Sequence, residues 1–308
     1  MATPQSPAAT PAARLREQAE ALAEALPPLL AEAEHVANTV SQGVHGRRRS
    51  GLGEAFWQFR RFREGDEAAS IDWRRSARSR HLFVRETESE AAEAVYIWRD
   101  GSASMDYRSD DAPAAKRDRA TVLAFALATL LIQGGERVAV LGEGSAPGTG
   151  RAALRQIAHR LIDSPDPREP SLPVPAALPR HAQLVLISDF LAPAADITAL
   201  MKDLSAKGIR THLVQVLDPA EEDFPFEGRT EFEGVEETLR IMVGRAQSLR
   251  QAYHDRLETH RNLIRQLARE LDFTFAAHRT DRPPQAALLA LYTALAGSGD
   301  MGTRRGVR

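Results

Sequence analysis

Residues 95–105 have the sequence VYIWRDGSASM, and the interpretation of the whole chain starts from this stretch. The apolar run 95–98 predicts a buried strand. The turn after it carries the carboxylate of Asp100 and the hydroxyls of Ser102 and Ser104, three oxygens around one point. Oxygen ligands favour a hard cation, with Mg²⁺ first and Ca²⁺ or Mn²⁺ as alternatives. Because Asp, Gly and Ser are also ordinary turn residues, the motif alone has a purely structural interpretation as well.

The composition is typical of an ordinary soluble protein. The 308 residues give room for one large domain with additions or for two smaller domains. Charged residues make up 27% of the chain, and its formal net charge of -2 argues against general attraction to nucleic acid or membranes. Because the chain has no cysteine, disulfides, thiolate zinc sites and cysteine nucleophiles are excluded.

Two features bear on where the protein works. Residues 1–14 lack the basic and then apolar order of a secretory signal. The longest apolar stretch, near residues 123–132, is too short to span a bilayer. We therefore expect a cytoplasmic protein.

Beyond residue 95 the pattern alternates between strands and helices. Such alternation predicts an α/β fold with a doubly wound, mostly parallel sheet and helices on both faces. The predicted strands are 95–98, 137–141, 184–187, 211–217 and 273–277. The predicted helices are 115–133, ending at Gly134-Gly135, then 152–162, 196–207, 235–271 and 284–296. Proline-rich residues 165–179 are expected to form an extended connection, and acidic residues 218–234 an irregular segment.

A second aspartate, Asp189, follows the predicted strand 184–187. Ligands of open parallel sheets bind beyond the carboxyl ends of the strands, near the point where the strand order reverses. We therefore expect Asp189 to lie close to Asp100 and to share a metal site with it. The structural alternative is that Asp189 only caps a turn.

The part of the chain before residue 93 has a different character. Residues 1–45 are interpreted as a disordered start, over 1–12, followed by a helical lead-in broken at Pro27-Pro28. Residues 46–92 are rich in arginine and aromatic residues and predict a small basic subdomain containing β-structure. Residues 93–297 form the α/β domain, with a long helical insertion at about 235–271, and residues 298–308 a flexible tail.

Two groups of motifs carry a family resemblance. The first is Asp-x-Ser-x-Ser-Met after one strand and Ser188-Asp189-Phe190 after another; it resembles a von Willebrand factor A-type domain with its metal-ion-dependent adhesion site. The second is the series GEAF, RRFREGD, IDW, SAR and VRE, at residues 53–56, 60–66, 71–73, 76–78 and 84–86. In order and spacing these resemble the bacterial family called domain of unknown function 58.

This resemblance implies a von Willebrand factor A-like fold and a metal-dependent protein-interaction module. The family is often encoded beside AAA+ ATPases of the MoxR type, which implies such an ATPase and a protein client as partners. The implied Mg²⁺ ligands, direct or water-mediated, are Asp100, Ser102 and Ser104, with Asp189 as a further carboxylate and one position left for a partner's acidic side chain. The family pattern also has a loop threonine, for which Thr149 is the candidate.

Other functions are open at this point. A metal-dependent, phosphoryl-directed enzyme would use Asp100 as nucleophile, but Ser102 stands where a second carboxylate would be wanted. The loop 142–150 lacks the spacing and lysine of a phosphate-binding loop, and the chain has no H-E-x-x-H or G-x-S-x-G motif. We therefore expect no enzyme. A third possibility is nucleic-acid binding through the arginine-rich segment 47–85.

Overall fold

The chain divides into two compact units. The larger unit comprises Met1–Val44 together with Ala94–Arg308, and the smaller unit comprises His45–Glu93. The structure is a computed structural model that describes residues 33, 35–37, 39–41, 56–61, 76, 83–87, 94–142, 146–162, 170–174, 178–179, 182–234 and 240–302. In the smaller unit, strands β1 (Phe56–Arg61) and β2 (Phe83–Thr87) pair antiparallel. The predictions for residues 1–12, for Pro27-Pro28 and for most of the segments 46–92 and 165–179 lie outside the described residues.

A five-stranded parallel sheet forms the centre of the larger unit. The strands of this unit are, in chain order, β3 (Ala94–Arg99), β4 (Arg137–Val140), β5 (Gln183–Ser188), β6 (Arg210–Leu217), β7 (Thr230–Glu233), β8 (Arg240–Val243) and β9 (Thr274–Arg279). The order across the sheet is β4-β3-β5-β6-β9, and every neighbouring pair is parallel. The remaining two, β7 and β8, pair as a separate antiparallel hairpin.

Helices cover both faces of this sheet. They are α1 (Lys116–Gln133), α2 (Gly150–Ile162), α3 (Ala194–Ala206), α4 (Pro219–Asp223), α5 (Arg250–Glu270) and α6 (Pro284–Gly302). Successive residues of a strand point to opposite faces. Val95 and Ile97 of β3 accordingly pack in one apolar cluster with α1, α2 and α6, whereas Tyr96 packs in a second cluster with α3 and α5. The predicted α/β, doubly wound fold is confirmed.

Helix α1 lies at the centre of the first cluster. Most of its residues are buried, from Lys116 at its start to Leu131 near its end. It is apolar all round, as is expected of a helix with neighbours on every side. Buried N-terminal residues with helical spacing join the same cluster, namely Ala33, Val36, Ala37 and Val40. The helix ends before Gly134, and Gly135 takes the left-handed conformation that favours glycine, with φ of 90°.

The segment between β6 and β9 differs from its prediction. Residues 218–234 were expected to be irregular, but they include the short helix α4 and the strand β7. The expected helix 235–271 begins only at Arg250, because residues 240–243 form β8 and Ala246–Leu249 a 3₁₀ turn. Helix α5 is also not an insertion into the α/β domain, because it lies in the crossover that joins the neighbouring parallel strands β6 and β9.

Aromatic packing accounts for that hairpin. The ring of Phe224 stacks on Phe232 of β7, with centroids 5.8 Å apart, and lies 4.7 Å from the ring of Tyr253 on α5. Through Phe224 these contacts pack β7 against the start of α5, and β8 follows because it pairs with β7. At the other end of the chain, α6 continues to Gly302, so the first residues of the expected flexible tail are helical.

Candidate functional site

The predicted site lies where the strand order of the sheet reverses. The chain first crosses from β3 to β4 on one side of it, and then returns to form β5 on the other side of β3. Asp100 follows β3 and Asp189 follows β5, at the carboxyl ends of these two neighbours. The backbone N–H of Asp100 donates to the carbonyl of Ile187 at 2.9 Å, which fixes the two strand ends side by side. Such a switch point is the usual binding position of a doubly wound sheet.

Asp100 is completely buried and accepts hydrogen bonds at both carboxylate oxygens. Its Oδ1 accepts from the backbone N–H of Ser102 at 2.8 Å, and its Oδ2 from the hydroxyl of Ser188 at 2.6 Å. Burial raises the pKa of Asp100 to about 6, although the bonds from both serines oppose that rise and the charge of Asp189 adds to it. The carboxylate is thus held in place by uncharged donors.

Ser102 and Ser104 bring the D-x-S-x-S turn to Asp189. The hydroxyl oxygens of the two serines lie 3.2 Å apart, and the Ser104 hydroxyl donates to Oδ2 of Asp189 at 2.8 Å. Asp189 also accepts at Oδ1 from the backbone N–H of Leu191, at 3.0 Å. All four residues that the sequence placed at the site are therefore brought together.

The residue after Asp189 has an unusual backbone conformation. Phe190 is fully buried in the left-handed region, with φ of 50°, where a non-glycine residue is strained. Two contacts hold it there: its N–H donates to the Ser188 hydroxyl at 2.9 Å, and its carbonyl accepts from Nε2 of His260 on α5 at 2.7 Å. Gln215 on β6 adds a bond from its side-chain amide to the Asp189 carbonyl at 2.9 Å. The Asp189 loop is therefore fixed from three sides.

Sequence reasoning missed Lys116, the first residue of α1. Its fully buried ammonium donates to Oδ2 of Asp189 at 2.9 Å and to Oε1 of Glu221 at 2.5 Å. Burial alone would lower the pKa of Lys116, but the charges of the two carboxylates outweigh burial and raise that pKa. The lysine therefore stays protonated and contributes a full positive charge inside the site.

Glu221 belongs to the capping box that starts α4. Its Oε2 accepts from the backbone N–H of Asp218 at 2.9 Å, while Oδ1 of Asp218 accepts from the N–H of Ala220 at 2.9 Å. The other oxygen of Asp218 accepts from the N–H of Ser109 at 2.9 Å. Lys116 thus connects the loop after β5 with the loop after β6.

The sequence analysis also missed Glu221, and both Lys116 and Glu221 carried a signal in the sequence. The run Asp218-Pro-Ala-Glu221 has the spacing of a capping box, with proline at the first helical position. Lys116 is a cation at the N-terminus of an apolar helix, where the helix dipole disfavours positive charge. A carboxylate beside this lysine would offset the unfavourable charge, but the sequence does not say which carboxylate lies there.

The oxygen atoms present are compatible with a hard cation. Cis ligands of an octahedral Mg²⁺ lie about 3 Å apart, since each metal–oxygen distance is about 2.1 Å. Two distances at the site are close to this value. The hydroxyl oxygens of Ser102 and Ser104 lie 3.2 Å apart, and the Ser104 hydroxyl lies 2.8 Å from Oδ2 of Asp189. Within the described residues no group of three or more His, Asp or Glu side chains is arranged to hold a metal. The hydroxyls would therefore be essential, and Asp189 would be shared with Lys116.

Thr149 does not lie at this site. It is exposed and follows Gly148, whose backbone N–H and carbonyl both bond to Val138 near the start of β4. Val138 is opposite Val95, so this bridge lies beside the first half of β3 and not at its carboxyl end. The expected loop threonine is thus on the wrong part of the sheet to join Asp100.

Comparison with known proteins finds one family and several relatives. A family model described as protein of unknown function DUF58 matches residues 58–263. Uncharacterized protein Rv1480 of Mycobacterium tuberculosis is 26% identical over 277 residues, which cover 85% of this chain and 86% of the relative. Uncharacterized protein Mb1516 of Mycobacterium bovis matches with the same figures.

Solved structures with a similar chain path are more distant. BatB from Bacteroides thetaiotaomicron is 16% identical and covers 68% of this chain and 99% of its own, with a TM-score of 0.40. An aerotolerance-related membrane protein from Bacteroides fragilis is 17% identical, covering 65% and 98%, with a TM-score of 0.39. The VWA domain of SpRpn10 is 11% identical, covering 64% and 94%, with a TM-score of 0.30. In the part of this chain that is described, no helix is long and apolar enough to cross a membrane.

Proposed function

Because the chain belongs to the family described as protein of unknown function DUF58, we propose that it is a protein-interaction module whose docking point is the strand-end site around Asp100. The site would hold Mg²⁺, with Ca²⁺ or Mn²⁺ as alternatives, directly or through water at Asp100, Ser102, Ser104 and Asp189. One position would remain for an acidic side chain of the partner. The proposed partners are a MoxR-type AAA+ ATPase and a client protein, and the proposed compartment is the cytoplasm.

One observation carries this proposal, namely the convergence of two carboxylates and two hydroxyls at the switch point of the sheet. The hydroxyl of Ser104 lies 2.8 Å from Asp189, although 85 positions separate the two residues in the chain. Asp100 and Asp189 are buried, whereas Ser104 is partly exposed. The site thus lies just below the surface, where a partner's carboxylate reaches a bound cation without entering the core.

A bound Mg²⁺ would supply a positive charge that attracts this carboxylate. The chain's own residues prepare the position. Ser188 and the N–H of Ser102 hold the Asp100 carboxylate, and Arg117 donates to the carbonyls of Gly101 and Ser102 at 2.8 and 3.2 Å. The turn is therefore ordered before a partner arrives, which lowers the entropy cost of binding.

The test compares Mn²⁺ and Mg²⁺ binding, by isothermal titration calorimetry, and capture of a MoxR-type ATPase for the wild type and the Asp100→Asn variant. Asparagine keeps the shape of the side chain and removes its charge. We expect cation binding to weaken by about tenfold or more, with a parallel loss of ATPase capture.

A matched control is Asp255→Asn, because Asp255 on α5 is exposed and its carboxylate accepts a hydrogen bond from Gln251. This variant should bind cation and ATPase as the wild type does. Equal binding by Asp100→Asn and the wild type would show that the site assignment is wrong.

The enzyme alternative has weaker support from the geometry. Asp100 is fully buried, and both its oxygens already accept hydrogen bonds. A substrate would have to displace these donors before Asp100 could attack phosphorus. The nucleic-acid alternative concerns residues 47–85, most of which lie outside the described part of the chain, and it stays a prediction.

A further inference from the structure

Lys116 places a positive charge inside the proposed cation site. Its side chain is completely buried, and its ammonium lies 2.9 Å from Oδ2 of Asp189 and 2.5 Å from Oε1 of Glu221. The same Asp189 oxygen accepts from Ser104, one of the proposed metal ligands. The lysine and a metal would therefore use the same oxygen atom.

The charges around this ammonium are not balanced. Four buried or largely buried carboxylates surround the junction of the three loops: Asp100, Asp189, Asp218 and Glu221. In the described part of the chain, Asp100 and Asp218 are hydrogen-bonded by backbone N–H groups and a hydroxyl, which carry no charge. Lys116 is the cation that the described contacts give to Asp189 and Glu221, so among these five side chains four carboxylates stand against one ammonium.

We propose that Lys116 is a tethered cation that competes with a divalent ion for Asp189 and so sets the cation affinity of the site. This inference rests on the proposed function, because it takes the Asp100 site as the place where the divalent ion binds. A metal at Ser104 and Asp189 needs the Asp189 oxygen that Lys116 now holds. The positive charge of the lysine also repels a dication one side chain away.

The competition links the cation to α4. When a divalent ion takes Asp189, Glu221 is the carboxylate that remains to Lys116 among its described contacts. Glu221 is part of the capping box of α4, and its backbone carbonyl accepts from the hydroxyl of Tyr253 at 2.7 Å. Occupation of the site by a cation therefore changes the surroundings of a loop that contacts α5.

The experiment measures binding of Mn²⁺ alone, by isothermal titration calorimetry and electron paramagnetic resonance, to the full-length wild type and Lys116→Met. Methionine has a similar length and no charge. We expect Mn²⁺ to bind Lys116→Met about tenfold more tightly or better, because the competing charge is gone. Without metal this variant should melt at a lower temperature, since two buried carboxylates lose their partner, and Mn²⁺ should restore the melting temperature.

Two further variants make the result decisive. Lys116→Met combined with Asp100→Asn should lose the gain in affinity, which places the tighter binding at this site. Lys116→Met combined with Glu221→Gln leaves one fewer unpaired carboxylate, and it replaces the single variant if that variant does not fold. The same criteria then apply to it.

The outcomes separate this inference from the proposed function. Equal Mn²⁺ affinity of the wild type and the lysine variants would overturn the role of Lys116 and leave the metal site standing. Absence of binding in every variant would overturn both. Binding by the lysine variants alone would support the inference and show that Lys116 replaces the metal in the wild type.

Discussion

His212 lies on β6, the strand between β5 and β9 in the sheet. Its Nδ1 is 2.9 Å from the hydroxyl of Thr274, and its Nε2 is 3.2 Å from Oε1 of Gln183. Since the Gln183 oxygen accepts, Nε2 carries the proton and Nδ1 accepts from the threonine. This arrangement satisfies a neutral imidazole, and burial, with a smaller effect of Arg210, lowers the pKa of His212 to about 4.

The lowered pKa of His212 predicts a loss of stability in acid. Between the unfolded pKa of about 6.5 and the folded value of about 4, only the unfolded chain binds the proton, so the free energy of unfolding falls as the pH falls. From about pH 7 to about pH 5 this one side chain should remove about 2 kcal/mol. Urea titrations at both pH values measure the loss.

His212→Gln is the variant that isolates this effect. Glutamine keeps a polar group between Thr274 and Gln183 but does not titrate. Its unfolding free energy should change less between the two pH values than that of the wild type. Part of the change will remain, because burial lowers the pKa of His278 to about 4 as well. An identical pH dependence of the two proteins would contradict the prediction.

At the scale of single residues, the sequence pointed to four residues of the candidate site and missed two. Asp100, Ser102 and Ser104 form a local motif, and Asp189 is marked by its position after a buried strand. Lys116 and Glu221 are 105 positions apart, and their contact depends on how the loops after β5 and β6 meet. Such a contact cannot be obtained from local spacing, whereas a misplaced lysine at a helix start at least indicates that a partner exists.

At the scale of elements, the strands and helices that line the sheet were predictable because burial leaves a clear apolar pattern. Predicted helix 115–133 and α1 differ by one residue. The helix prediction was wrong over 240–249, because the spacing of Met242, Ala246 and Leu249 matches a helix face whereas these residues lie in β8 and a 3₁₀ turn. The aromatic contacts of Phe224 with Phe232 and Tyr253 decide the structure there, and they are not local.

Helix α1 should be the element most sensitive to truncation of its side chains. Leu127 has no exposed surface and packs in the cluster that α1 shares with the sheet. Leu127→Ala should lower the free energy of unfolding by about 2 to 5 kcal/mol, because it removes buried methyl groups and leaves a cavity. Urea unfolding followed by circular dichroism measures the change.

Leu289 on α6 is the matched control, since 43% of its surface is exposed. Leu289→Ala should cost less than about 1 kcal/mol, as is usual for surface positions. A similar loss for the two variants would mean that α1 is not the centre of the core.

At the scale of the whole molecule, the family resemblance inferred from the sequence motifs is confirmed by the match over residues 58–263. The resemblance was visible because its motifs lie in both compact units. The predicted bounds of the arginine-rich subdomain, 46–92, differ by one residue at each end from those of the smaller unit, His45–Glu93, because the segment differs from its surroundings in composition.

The larger unit should fold without the smaller one. The described residues of both apolar clusters, from Ala33 to Leu295, belong to the larger unit. A chain in which a Gly/Ser linker replaces residues 45–93 should therefore unfold cooperatively, with a free energy of unfolding within about 1 kcal/mol of the full chain. Urea unfolding of both chains tests this, and a loss of cooperativity in the shortened chain would contradict it.

The parallel order of the sheet also sets a sequence of events during synthesis. The ribosome produces the D-x-S-x-S turn first, Asp189 some 85 positions after Ser104, and Glu221 105 positions after Lys116. At about 5 to 20 residues per second, Lys116 waits about 5 to 20 s for its second carboxylate. Until Asp189 is made, 73 positions after Lys116, a free divalent ion meets an incomplete set of oxygens and an unpaired ammonium. The nascent chain therefore passes through a stage in which its cation chemistry differs from that of the finished protein.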